Sequence, residues 1–365
     1  MGVQSWHTVL AFLLAEGNGR ADCFRLSGDY RETFHQLRSE SGRRDLSIAI
    51  GRPVGEVAWE RFDAQRAAMS RHGVRAVTFF DDDYPLYLRR IPKAPPILFY
   101  RGDLSCLRHR GVAIVGTRHP TARACDFTAG LAGDLAAMNI VVVSGAARGI
   151  DSAAHRGALE KRGKTVGVVG SGLDVPYPQE NAQLLETMAQ HGCVLGEQLM
   201  GTPPLRHTFP QRNRLISAFS HAVVVVEAGR RSGALLTASW ALEQGREVGA
   251  VPGFPGDPRS CGVNSLLKGG AFPVEGVDDI LEAAPRLRAR ASRPWGGPAA
   301  SGGRVQAGLS AEANAILDVV GGHHADPDAV ARHLKTSVAR VQAILLELEI
   351  RGVVARDAMG MYHKS

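Results

Sequence analysis

The sequence predicts an α/β protein organised around a doubly wound, mostly parallel sheet. Five short segments, 112–115, 140–143, 166–169, 222–226 and 248–251, are rich in valine and apolar on both faces, as fully covered parallel strands are. Helical stretches at 122–138, 152–161, 179–190 and 234–244 lie between them, and such alternation builds βαβ units. Nearly every strand runs into a glycine: Gly116, Gly145, Gly170 and Gly229. Doubly wound sheets bind ligands outside the carboxyl ends of their strands, and glycine there lets backbone amides approach an anion.

The rest of the chain divides around this zone. Residues 1–70 show helical spacing, with Trp6, Leu10 and Leu13 on one face and Phe34 and Leu37 on another. The apolar stretch 9–15 is too short to span a bilayer and predicts a core helix. Residues 71–105 form an extended connector marked by Pro85, Pro92, Pro95 and Pro96, and belong with the sheet domain as 71–285. Residues 286–309 form a linker in which Arg286, Arg288, Arg290, Arg293 and Arg304 alternate with proline, glycine and alanine. Residues 310–365 make a second small globular unit.

At 365 residues the chain is long enough for two to three domains, and 44% hydrophobic content supports real cores. The formal net charge of +7 suits an anionic partner. Five scattered cysteines with no CxxC pair indicate neither a zinc site nor a disulfide framework. No metal or cofactor is expected, and a cytoplasmic protein without a membrane anchor is.

The turns after the strands are the candidate site. Gly116-Thr117-Arg118 lacks the dinucleotide fingerprint and puts a cation just past the first strand. In Ser144-Gly145-Ala146-Ala147-Arg148-Gly149-Ile150-Asp151 the glycines bend tightly, the Ser144 hydroxyl is placed to donate to a phosphate, and Asp151 supports the helix start. The turn at 170–178 leads to Asn181 and shapes a pocket wall. Arg230, Arg231, Ser232 and Gly233 stand at a further helix start. Residues 209–217, Phe-Pro-Gln-Arg-Asn-Arg-Leu-Ile-Ser, are the most informative. They read as a loop in which Arg212 and Arg214 neutralise phosphates, Asn213 bonds a base edge or fixes the loop, and Phe209 stacks on an unpaired base. A solvated arginine face with Phe209 in the core is the alternative. No serine–histidine–aspartate arrangement, P-loop or HExxH motif appears, which favours a binding protein over an enzyme.

Taken in order, Gly116-Thr117-Arg118, 144–151, 170–178, 209–214, 232–238, Val251-Pro252-Gly253 and Gly262-Val263-Asn264 resemble the DNA-processing protein A family, also called Smf. Tyr84-Pro85 and Pro95-Pro96-Ile97-Leu98-Phe99 match that family's segment ahead of its Rossmann-like domain. The resemblance implies a Rossmann-like sheet, an N-terminal helical module similar to a SAM or helix-hairpin-helix domain, and a C-terminal winged helix. In that winged helix 326–334 and 337–350 would be the two helices, Val338, Val341, Leu345 and Leu348 the core face of the second, and 353–362 the wing.

It also implies a non-enzymatic protein that binds single-stranded DNA and helps load the RecA recombinase during natural transformation and recombination. Arg118, Phe209, Arg212, Asn213 and Arg214 would contact DNA, and Ser144, Gly145 and Ser232 would line the same pocket. With the turn residues Gly116, Thr117, Ala147, Arg148, Arg230, Arg231 and Gly233 these make up the candidate DNA-binding set. A homodimer is expected through the end of the sheet domain, with Asn264, Leu266, Leu267, Phe272 and Ile280 as candidates, although core burial would account for them equally well. The competing enzyme readings are a nucleotide phosphoribohydrolase, whose Pro-Gly-Gly-x-Gly-Thr motif is missing here, and a nicotinamide-dependent oxidoreductase.

Overall fold

A computed structural model describes residues 3–16, 19–26, 29–287, 310–320, 327–334, 336–350, 353–356 and 362–364. From residue 288 on, the expected linker lies outside the described residues. The chain divides into two compact units, Met1–Trp295 and Gly296–Ser365.

The first unit begins with helices α1 (Ser5–Leu13), α2 (Tyr30–Leu37), α3 (Glu40–Ile50) and α4 (Trp59–Arg71). The Asp29 and Ser39 side chains cap α2 and α3 by accepting from Arg31 N and Gly42 N, and Gly51, at φ 73°, ends α3 in the left-handed region. Val9, Leu10, Phe12, Phe34, Leu37 and Phe62 form their core, which is shared with Ile97 and Phe99 of the sheet.

The sheet has nine strands: β1 (Arg75–Thr78), β2 (Ile97–Gly102), β3 (Gly111–Gly116), β4 (Val141–Ser144), β5 (Thr165–Val168), β6 (Cys193–Gly196), β7 (Ala222–Val226), β8 (Glu247–Ala250) and β9 (Phe272–Pro273). Their order is β1-β2-β6-β5-β4-β3-β7-β8-β9. Strands β3 to β9 pair parallel, while β2 joins β6, and β1 joins β2, antiparallel.

The intervening helices are α5 (Ala122–Ala137), α6 (Ile150–Glu160), α7 (Ala182–His191), α8 (Thr208–Ala218), α9 (Gly233–Glu243), α10 (Cys261–Lys268) and α11 (Val277–Ala283). Strand β3 shows why both faces are apolar. Val112 and Ile114 pack under Leu131, Leu135 and Ala154 of α5 and α6, whereas Ala113 and Val115 pack against Leu215, Ile216 and Ala238 of α8 and α9. The sheet is therefore doubly wound, as expected, and its order reverses at β3, between β4 and β7. In doubly wound sheets the ligand crevice lies at such a reversal, outside the carboxyl ends of the strands.

The second unit holds α12 (Ala311–Val320), α13 (Pro327–Leu334), α14 (Val338–Ile350) and an antiparallel hairpin of β10 (Val354–Arg356) and β11 (Tyr362–Lys364). Three helices and a hairpin make the expected winged helix. Its core gathers Ile316, Leu317, Val330, Val341, Leu345, Leu348, Val354 and Tyr362. Val338 is a correction: at the first residue of α14 it is exposed, and Ile344 is buried on the core side instead.

Candidate nucleic-acid interface

At the candidate site the expected loop 209–214 is instead helix. Helix α8 starts at Thr208, so Pro210 falls in its first turn, where a backbone N–H has no intrahelical acceptor to lose. The helix sets Phe209 beside the turns that follow β3 and β5. The ring is half-buried; the Arg118 guanidinium stands 5.7 Å and that of Arg212 5.8 Å from its centroid, and Tyr177 tilts against it at 5.5 Å. Gly170 leaves room beneath, for a Cβ there would lie 3.2 Å from the ring. Cations this close to an aromatic face are attracted to it.

Arg118 and Arg212 differ in access. Arg118 is exposed, just past β3. Its turn is clasped by Glu227, which sits at φ 45° after β7. Thr117 N donates to the Glu227 carbonyl at 2.8 Å, and Thr121 donates through N and Oγ1 to the Glu227 carboxylate at 2.9 and 2.7 Å. Arg212 is buried, and its Nη1 donates to the Gly145 carbonyl at 2.7 Å. Burial brings its pKa down to about 10, opposed by the nearby Asp151 charge. Asp151 is itself buried, and burial raises its carboxyl pKa despite the opposing pull of Arg212. Its carboxylate accepts from Ala147 N at 3.3 Å, so the 145–151 turn and α8 are braced against each other. Asn181 completes the brace by donating to the carbonyls of Ala146 and Ala147 and to Ser152 Oγ.

Two side chains expected to bind phosphate face inward. Arg214 is buried, and all five of its N–H donors are engaged. Nη1 and Nη2 donate to the two carboxylate oxygens of Glu197 at 2.9 and 2.7 Å, Nε and Nη2 to the Lys93 carbonyl at 3.0 and 2.6 Å, and Nη1 to the Gln211 carbonyl at 2.7 Å. No donor is left for a phosphate, so the DNA contact expected of Arg214 is withdrawn. The Ser144 hydroxyl is fully buried and donates to the Ile114 carbonyl at 2.6 Å, which removes it from the surface too.

The remaining candidates lie along the strand ends. Arg148 is exposed and paired with Glu180 at 2.6 Å, Arg230 and Arg231 are exposed beyond β7, and Ser232 caps α9 by accepting from Ala234 N. Asn213 donates to the Gly233 carbonyl at 3.2 Å, which ties α8 to the start of α9. The residues gathered around Phe209 are thus Arg118, Arg212, Tyr177 and Gly170, with Gly145 behind Arg212.

A family model described as DNA recombination-mediator protein A matches residues 75–285, more than half of the chain. The chain belongs to that family. A second model, the DprA winged helix domain, matches 300–358. Among relatives, the DNA processing protein DprA of Bacillus subtilis is 39% identical over 63% of this chain and 77% of its own length. DprA of Streptococcus pneumoniae is 41% identical over 56% of this chain and 72% of its own. The crystal structure of the Streptococcus pneumoniae protein superposes with a TM-score of 0.63 at 33% identity, covering 77% of this chain and 98% of that one. A structure of DNA processing protein A from Helicobacter pylori, whose description concerns a single-stranded DNA binding mode, gives 0.53 at 30% identity, covering 58% and 96%.

The dimer candidates have mixed surroundings. Ile280 is fully buried under the sheet with Val274 and Leu281, so it belongs to the core and not to a surface. Asn264 is committed to Gly253, accepting from its N–H and donating to its carbonyl. Leu266, Leu267 and Phe272 are half-buried, each leaving part of its side chain outside. Among the described residues no helix is long and apolar enough to cross a membrane, and no cluster of metal-ligating side chains occurs.

The sequence reading passed over Glu227 and Glu197 as site-builders. Glu227 left a signal, as the one acid in the basic run from Arg206 to Arg231. Glu197 left none, because its partner Arg214 lies on a different element 17 residues away.

Proposed function

We propose that this chain binds single-stranded DNA at the carboxyl edge of its sheet, without catalysing a reaction, and helps load the RecA recombinase onto the bound strand in natural transformation and homologous recombination. The observation that carries the reading is the half-buried Phe209 ring held between Arg118, Arg212 and Tyr177 at the switch point of the sheet. An aromatic face beside an exposed guanidinium suits a strand with open bases: the ring stacks on a base of any identity and the cation meets a phosphate. Arg230, Arg231 and Arg148 extend the cationic surface past the neighbouring strands. The family's description as a recombination mediator and the single-stranded DNA binding of the Helicobacter pylori relative support the same reading. It also makes the chain cytoplasmic, where RecA and incoming strands would meet it.

Fluorescence anisotropy with single-stranded and blunt duplex DNA of equal length, at several salt concentrations, tests the binding. Single strands are expected to bind much more tightly with slight sequence preference; equal or better duplex binding would overturn the proposal. The loading step is tested separately, by following RecA assembly on single strands already coated with a single-strand binding protein. This chain is expected to shorten the lag.

A further inference from the structure

The Glu197 carboxylate has a task that the DNA-contact reading does not use. It follows β6, is almost fully buried, and is met from two sides. Arg214 of α8 binds both of its oxygens. Arg20, from the N-terminal helical segment, reaches Oε2 with Nη1 at 2.7 Å and the Glu197 carbonyl with Nη2 at 2.9 Å. Arg214 is held at its main chain as well, since its carbonyl accepts from Gln244 Nε2 at 3.0 Å and from Ser217 Oγ at 3.1 Å. Its Nε and Nη2 also fasten the connector through Lys93 O.

We infer that Glu197 is a positioning residue of the DNA interface: by clamping Arg214 it fixes the roll of α8, and so the places of Phe209 and Arg212, with Arg20 bringing the N-terminal segment into the clamp. The inference rests on the single-stranded DNA reading proposed above. The geometry behind it is simple. Phe209, Arg212 and Arg214 ride on one rigid helix of eleven residues. Side-chain tips stand roughly 5–6 Å from a helix axis, so a roll of about 10° carries them by about 1 Å. A binding site loses its fit when groups stray beyond about 0.5 Å. The crevice side of α8 has one directed hydrogen bond to its guanidinium, Arg212 to Gly145, while the opposite side has four that leave the helix through Arg214, to Glu197 and Lys93. Orientation is therefore set mainly from the Glu197 side. The arrangement also explains why an arginine in so basic a motif carries no ligand: its charge is spent on alignment.

The test uses the full chain and two kinds of variant, because removing Glu197 alone would strand a buried guanidinium and risk unfolding. Glu197→Leu with Arg214→Met replaces the pair by apolar groups, an exchange that buried ion pairs commonly tolerate. Arg20→Gln removes only the half-exposed arm, and Arg20→Lys keeps a cation there. Affinity for single-stranded DNA is expected to fall about tenfold in the double variant, as a loosened site would. In Arg20→Gln it is expected to fall by roughly threefold, with partial recovery in Arg20→Lys, since lysine keeps the charge but not the fork.

The log–log salt slope should stay at the wild-type value in all of them, because no phosphate contact is lost. Hydrogen exchange over residues 208–218, measured without DNA, should quicken in the double variant and in Arg20→Gln while the rest of the sheet stays protected. A double variant that melts like the wild type and keeps both its affinity and its α8 protection would overturn the inference. So would a slope reduced by one contact, about 0.7, which would make Arg214 a phosphate ligand. If the wild type bound no single-stranded DNA, the functional reading would fall, and the exchange pattern alone would then decide the clamp.

Discussion

The exposed Arg118 guanidinium stands 5.7 Å from the centre of the Phe209 ring, against which Tyr177 also tilts. Arg212, at a similar distance from the same ring, is buried and bonded to Gly145. Two arginines that the sequence presents as equals thus meet one aromatic ring, one exposed and one buried, and the pair should behave differently under mutation.

Arg118→Ala is expected to weaken single-stranded DNA binding about tenfold and to flatten the log–log salt slope by roughly 0.7, one phosphate contact, with little change in melting temperature. Arg212→Ala should act through the fold. It leaves the Gly145 carbonyl without its donor and the buried Asp151 without its nearby cation, a loss on the order of 3 kcal/mol. Anisotropy at four salt concentrations beside thermal melts separates the two. If Arg212→Ala melted normally and only flattened the slope, the buried bracing role would be wrong.

Glycine size at two turn positions gives a second test. An alanine Cβ at Gly145 would fall 2.6 Å from Asp151 Oδ2 and 2.8 Å from Arg212 Nη2, so the buried brace must move. At Gly170 the Cβ would meet the Phe209 ring at 3.2 and 3.3 Å, which a shift of a few tenths of an ångström relieves. Gly145→Ala should therefore lose most single-stranded DNA binding, and Gly170→Ala only a few-fold. The reverse ranking would show that the brace does not govern the site.

The sheet was largely legible because β3, β4, β5 and β7 fall in apolar, valine-rich runs, and β8 runs on through Ala250 into Val251. Strand β6 was not, since Cys193-Val194-Leu195-Gly196 is short and follows α7 after a single residue. Helix α8 reads as a loop in the sequence because Pro210 and the four polar residues Gln211, Arg212, Asn213 and Arg214 hide its apolar side, Leu215, Ile216 and Ala218, in the second half. At the site, Arg118 and Phe209 were readable from the motif and stand at the crevice. The burial of Arg212 and Arg214 was not, because a basic run looks solvated until its partners arrive from other elements, Asp151 in the first turn of α6 and Glu197 after β6.

Stability should depend on pH through His155. It is fully buried, bonded through Nδ1 to Thr165 Oγ1 at 2.7 Å, and burial lowers its pKa to about 3. Between about 3 and the ordinary value of 6.5 the unfolded chain carries a proton there that the folded chain does not. Stability from this group is therefore complete above pH 6.5 and falls as pH drops toward 3, by about 1.4 kcal/mol per unit at the steepest. His221, lowered to about 4 by burial and by Arg246, adds to the same slope. Urea titrations at pH 7 and 5 should show the loss, and a folded His155→Gln variant should show a smaller one. An unchanged slope in that variant would remove His155 as its source.

Self-association is the last expectation to test. Leu266 and Leu267 on α10 and Phe272 on β9, at the edge of the sheet, are half-buried, so each offers apolar surface outward while resting on the core. A symmetric dimer would bury one such patch against its copy and present two DNA sites together, and a strand long enough to engage both would gain apparent affinity through effective concentration. Sedimentation of the wild type at micromolar concentration should give a dimer, and Leu266→Arg and Leu267→Arg should shift it to monomer. Melting curves must accompany the variants, because both leucines also touch the core. In the monomeric variants short oligonucleotides should bind as before, while long ones lose their advantage. A wild type that stays monomeric, or a folded charge variant that stays dimeric at both positions, would move the interface elsewhere.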